Sequence, residues 1–146
     1  MDEIKRLGGL DAIVISHPHY FTTHLVWAEV FDCPVYLSVE DEEWVVLRDD
    51  RRQVLFGGGL LSFSAGEKGN YSGDDGKAEL VVIKTGGHFP GSTVLWWRSL
   101  RALLIADTIA VVPSGKYWVD RPPGTASFTF MWSYPNMVCP ALQRGW

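Results

Sequence analysis

The sequence predicts a mixed α/β (α+β) domain, and two stretches carry that expectation. Early in the chain DAIVIS and PVYLS flank a segment of helical spacing, a strand–helix–strand unit that favours a parallel pair. Later, AELVVIK, STVLWW and ALLIAD follow one another, the last two across a short turn, as antiparallel neighbours do. Helices therefore belong early and a strand meander late. At 146 residues, 47% hydrophobic and 21% charged, the chain is long enough for one buried core and short for two domains.

Each element has a local reason. DEIKRL suits a short helix that Gly8-Gly9 stops. DAIVIS is almost continuously apolar and β-branched, like a strand buried on both faces, and should end near Pro18, which has no N–H for a ladder. Thr22 or Thr23 can cap a helix running through Asp32, with Trp27, Val30 and Phe31 at helical spacing and Glu29 and Asp32 toward water; Cys33-Pro34 ends it. PVYLS reads as the next strand. Ser38 followed three residues later by Asp41 marks a helix start for EDEEWVVL, with the acidic run Glu40 to Glu43 solvated at its N-terminus.

QVLF, the glycines Gly57 to Gly59 and LLSFSA continue as short strand-like runs, with GEKGNYSGDDGK as the longest loop. Within it, GDDGKA lacks the glycine spacing and the following Ser or Thr of a phosphate loop and reads as a turn. Trp96 and Trp97 alternate across a strand, which puts one ring in the core and the other on the opposite face; Phe128 and Phe130 read as packing residues. From Pro113 to the end, residues 113–146, the chain is expected to be irregular.

Composition excludes several classes. With a net charge of -4 and no basic run beyond Arg51-Arg52, the chain offers no stripe to track phosphates, so nucleic acid is not an expected partner. The N-terminal MDEIKRLGGLDAIVIS is neither a secretory signal nor a membrane span, which leaves a cytoplasmic address and no membrane partner. Cys33 and Cys139 are too few for a disulfide framework and read as buried thiols.

All four histidines fall in two motifs, HPHYFTTH (His17, His19, His24) and GGHFPGST (His88). Three apolar runs each lead into a residue able to bind a metal: DAIVIS into His17 and His19, ELVVIKTGG into His88, and ALLIA into Asp107. Loops beyond strand ends can present side chains without disturbing a ladder. Two histidines at i and i+2 on extended backbone point to one side, and Gly86-Gly87 allow close backbone approach before His88. Three neutral imidazoles with one open position make zinc catalytic, because the ion lowers the pKa of bound water to roughly 7. The plain alternative is satisfied core histidines and a turn aspartate. His24, near the start of a helix, reads as a surface or capping histidine.

In their order, HxH, a helix ending in CPVYLS, GGHFPGSTVLWW and LLIADT, these motifs resemble the metallo-β-lactamase-fold hydrolases over roughly residues 8 to 112. The resemblance implies an αββα sandwich with zinc at its edge, His17, His19 and His88 matching the histidines of the first metal site and Asp107 the carboxylate that bridges two metals. Phe21 and Thr22 stand where the family's HxHxDH loop has its aspartate and last histidine, and no histidine follows His88, so the expectation is one zinc ion and not two. The strands that precede HxH and the C-terminal part of the fold are missing from 1–146, which reads as one incomplete sandwich domain.

The function so implied is hydrolysis of an acyl-type bond in a small-molecule substrate, with Asp107 completing the shell or holding the nucleophilic water. The alternative is a catalytically inactive relative, a binding or structural module whose three histidines and Asp107 close a four-coordinate shell.

Overall fold

The computed structural model describes residues 1–64, 76–116, 120 and 122–131. Helix α1 (Asp2–Arg6) leads to strand β1 (Ile13–Val14), helix α2 (His24–Phe31) and strand β2 (Val35–Ser38), with β1 and β2 parallel as expected. Strand β3 (Gln53–Phe56) adds to the far side of β2, also parallel, giving the order β1-β2-β3. The antiparallel meander therefore begins only after Gly57 to Gly59, where Gly58 at φ +82° helps turn the chain into a second sheet. That sheet has β4 (Leu60–Phe63), β5 (Leu80–Lys84), β6 (Thr93–Trp97) and β7 (Ala102–Leu104) in sequence order. A last pair joins β8 (Ile109–Val111) to β9 (Phe128–Phe130).

The pleat of β2 explains the layering. Val35 and Leu37 lie in one cluster with Ala28 of α2 and Val45, while Tyr36 on the opposite face meets Phe56, Leu61 and Val82. Helix α2, the parallel sheet and the antiparallel sheet are thus three successive layers, cemented by side chains each contributing roughly 1.5–3 kcal/mol on full burial. The strand buried on both faces is β2, and not the DAIVIS segment, whose β1 residues are half-buried at the sheet edge.

Other expectations need correction. In α2 the buried positions are His24 and Ala28, and Val30 is exposed, because the helix lays its Ala28 face on β2. Thr23 precedes α2 but makes no side-chain cap bond. The EDEEWVVL helix is a 3-10 segment, Val39–Trp44, after which Val46 and Leu47 are exposed. Asp41 is buried and not solvated. Trp96 and Trp97 are both partly exposed, the former under the Arg98 guanidinium and the latter donating its indole N–H to Glu79. Phe128 and Phe130 are about half exposed, on a two-stranded ribbon. Among the described residues from Pro113 onward are a 3-10 turn, Pro113–Lys116, and β9. Cys33 is a buried free thiol. Cys139, the closing VCPALQRGW and most of GEKGNYSGDDGK, including half of GDDGKA, lie outside the described residues. No helix among the described residues is long and apolar enough to cross a membrane.

Candidate metal centre

Three loops deliver the histidines and the aspartate to one point. His17 has extended backbone (φ -169°) and begins a 3-10 turn, Pro18–Tyr20, with Pro18 at its first position, where a missing N–H costs nothing. His19 lies inside that turn. The two rings converge because the chain curls and not because it stays extended, a correction to the i, i+2 argument. His88 follows Gly86 and Gly87, both in the left-handed region (φ +64° and +92°), so a side chain at either would be strained. Asp107 sits in a 3-10 turn, Ala106–Thr108, after β7, and Ala106 itself is held at φ +45°.

The donor atoms are His17 Nε2, His19 Nδ1, His88 Nε2 and Asp107 Oδ2, and such a set, one atom from each residue, lies within 4.8 Å of one another. Oδ2 of Asp107 is 3.3 Å from His17, 3.7 Å from His88 and 4.0 Å from His19, and His88 Nε2 is 3.3 Å from His19 Nδ1. A tetrahedral shell with ligands at about 2.0–2.1 Å separates its donors by about 3.3–3.4 Å. Two of these separations match that edge and the others are longer, within 4.8 Å, so a small contraction brings the four groups around one metal ion, which they can hold.

Protonation agrees with that geometry. His17 is buried, which pushes its pKa down to about 4 against the opposing pull of the Asp107 carboxylate; His88 and His19 push it down further. Burial and then His19 also lower His88, partly offset by Asp107 and the Met131 backbone. Both rings are therefore neutral at pH 7, the state a ligand needs. Ser16 Oγ lies 3.0 Å from His17 Nδ1. With that nitrogen donating to the hydroxyl, Nε2 turns its lone pair into the cluster, where it is buried without a hydrogen-bond partner among the described residues. An orphaned ring nitrogen aimed at three other donors fits a cation better than it fits a core histidine.

Several supporting residues were not singled out from sequence. Phe89 packs against all three rings, at centroid distances of 5.8 Å from His17, 4.9 Å from His19 and 5.1 Å from His88, and Trp44 backs it at 5.1 Å. Thr93 N–H donates to Ser16 O at 2.9 Å, tying the start of β6 to the residue before His17. The His88 loop is closed on itself by Thr85 and Gly86 N–H to Ser92 O and by Phe89 N–H to Ser92 Oγ. It is anchored by Gly91 N–H to Asp41 Oδ1 at 2.8 Å. The spacing of Ser38, Asp41 and Gly91 gives no sign of this contact in the sequence.

His24 stands apart from the cluster, buried and with Gln53 Nε2 at 3.0 Å from its Nε2, so it is neither a surface nor a capping histidine. Phe21 packs on the Ala28–Val35–Leu37 core, and Thr22 is exposed.

Asp41 has its own pH signature. Burial, before any other cause, raises its pKa from 3.8 to about 6; Glu40 and Glu43 add to the rise, while the Gly91 N–H and Lys84 oppose it. Below pH 4 the carboxyl is neutral both folded and unfolded. Between pH 4 and 6 only the unfolded chain gives up the proton, so this group's contribution to stability falls by roughly 3 kcal/mol and stays lost above pH 6. Asp41→Asn, which keeps an acceptor for Gly91, is expected to gain on the native chain by about that amount between pH 4 and 7 in urea unfolding. A constant difference across that range would refute the buried charge.

No protein-family model matches the chain, and no solved structure matches it. The chain is similar to a protein of Bacillus subtilis (strain 168) described as the uncharacterized protein YmaE, 34% identical over 141 residues that cover 94% of this chain and 43% of that protein. The chain thus spans less than half the length of that relative.

Proposed function

We propose that this chain is a zinc-dependent hydrolase of metallo-β-lactamase type, cleaving an ester, amide, thioester or similar acyl bond. One observation carries the reading: three imidazoles and one carboxylate from three separate loops lie with their donor atoms within 4.8 Å of one another, the donor set of a zinc site with three histidine ligands and a carboxylate beside the open position. The layering of α2 on two stacked sheets supports it, since these are three of the four layers of an αββα sandwich. The placement of Phe21 in the core, and of His24 on Gln53, supports a single ion, because neither position offers a second set of ligands.

When bound, zinc on three imidazoles supplies a water nucleophile at neutral pH. His17 and His88, buried and neutral, fix the position of the centre, and Ser16 Oγ can accept from His17 Nδ1–H, the tautomer that leaves Nε2 free for ligation. His19 is half exposed and Asp107 about 30% exposed, so the cluster opens on their side. There Asp107 Oδ2 accepts a hydrogen bond from the attacking water and orients it. Phe89 excludes bulk water from the opposite side.

The competing reading is a closed module in which Asp107 is a fourth ligand and no position remains for substrate. It is favoured by Asp107 Oδ2 lying close to all three imidazoles. The test is addition of zinc to metal-free protein with p-nitrophenyl acetate as substrate. Hydrolysis is expected to rise at least about 100-fold over the metal-free chain and to vanish in His17→Ala. Zinc that raises the thermal midpoint without turnover would establish the closed module instead.

A further inference from the structure

The 3-10 segment Val39–Trp44 touches the His88 loop at its start, its middle and its end. Residues 85–92 join β5 to β6, and the paired residues Lys84 and Thr93 form the neck of that loop. At the start, Lys84 Nζ donates to Glu40 Oε1, and Ser38 Oγ donates to the other oxygen of the same carboxylate at 2.6 Å. In the middle, Trp44 meets Phe89 edge-on with ring centroids 5.1 Å apart, and Phe89 in turn packs against all three histidine rings. At the end, Gly91 N–H donates to Asp41 Oδ1 at 2.8 Å. A segment that contributes no donor to the metal thus grips the loop that carries His88.

The three contacts respond differently to pH. Packing of Trp44 on Phe89 involves no proton. Against its partial burial, the Lys84 and Ser38 bonds hold the Glu40 carboxyl below its ordinary range, so that ion pair is already formed in weak acid. Asp41 is the one that changes. Burial raises its pKa to about 6 against the Gly91 N–H; Glu40 and Glu43 of its own segment add to the rise, and Lys84 of β5 opposes it. An N–H bond to a carboxylate is roughly twice as strong as one to a neutral acceptor, so the grip on Gly91 tightens when Asp41 ionises.

We infer that Asp41 is a positioning residue for the metal centre, whose ionised carboxylate holds the Gly91 end of the loop and thereby raises the affinity of the four ligands for zinc. This rests on the metal centre of the proposed function and is independent of its hydrolytic step. The buried charge then works against the fold and for the site. Asp41→Asn, which gains stability on the native chain as pH rises, should lose zinc affinity relative to it over the same interval. A side chain with a merely structural role would move both quantities the same way.

The experiment is zinc affinity of the full native chain, Asp41→Asn and Trp44→Leu, by competition with a chromophoric chelator from about pH 5 to about pH 7.5. Protons that compete with zinc at the histidines do so in every chain and cancel in the ratio. The ratio of native to Asp41→Asn affinity is expected to rise at least about threefold across that range. Trp44→Leu should bind zinc about tenfold more weakly than the native chain at every pH, because it loosens the loop without touching a charge. A native to Asp41→Asn ratio that stays constant with pH would overturn the inference and leave the metal centre standing. An equal pH dependence in Trp44→Leu would assign the effect to general loosening of the loop and would also overturn it. A native chain that takes up no zinc at any pH would remove the metal centre and the inference together.

Discussion

His88→Ala is expected to lose zinc through dialysis against a weak chelator that the native chain withstands, with affinity reduced by at least about 100-fold. Changes to groups that merely orient a ligand typically cost 10–100-fold, so removing a ligand should exceed that range. His88 is the informative choice because it is the histidine most remote in sequence from His17 and His19, and its Nε2 lies 3.3 Å from His19 Nδ1 and 3.7 Å from Asp107 Oδ2. Its ring is buried, so truncation also leaves a small cavity. His88→Gln keeps most of that volume and separates loss of ligation from loss of packing. Ser16→Ala should weaken zinc less, by about tenfold, since it frees the His17 ring without removing a donor. Metal analysis beside a thermal scan decides the matter: unchanged stoichiometry in a folded His88→Ala chain would mean that the four side chains are not a metal centre.

Convergence of these residues was legible because metal chemistry leaves a composition signal, histidine and aspartate at the ends of apolar runs, that survives without knowledge of the fold. The strands β2, β4, β5, β6 and β7 were legible for a similar reason, each being an apolar run bounded by turn residues. What sequence could not express was contact between residues far apart. Val30 and Phe31 have the spacing of a buried helix face, yet α2 turns on Ala28, the small residue that lets it approach β2. Asp41 looks like one more solvated carboxylate in an acidic run until Gly91, fifty residues on, is seen to donate to it. Convergence of His17 and His19 was expected for the wrong local reason, because a 3-10 turn at Pro18 does what an extended backbone was thought to do.

Gly91→Ala is expected to damage both the fold and the metal centre. A Cβ there would lie 2.5 Å from both Cβ and Oγ of Ser38 and 2.7 Å from Cγ of Asp41. Cβ of Ser38 is fixed to its backbone and cannot rotate aside, and Asp41 is buried, so the loop itself must retreat. Retreat breaks the Gly91 N–H bond to Asp41 and leaves a buried carboxylate without that donor. Overpacking of about 1–3 kcal/mol and the lost bond of about 1–3 kcal/mol together predict destabilisation of roughly 2–6 kcal/mol. Because His88 is on the same short loop, closed by Ser92, zinc affinity should fall with stability. Adding Ser38→Gly removes the two contacts at 2.5 Å and should restore part of both losses, which a general weakening of the loop would not allow. Urea unfolding and zinc stoichiometry of the single and double variants measure this directly. A Gly91→Ala chain within about 0.5 kcal/mol of the native one would show that the second sheet does not hold the His88 loop against Ser38 and Asp41.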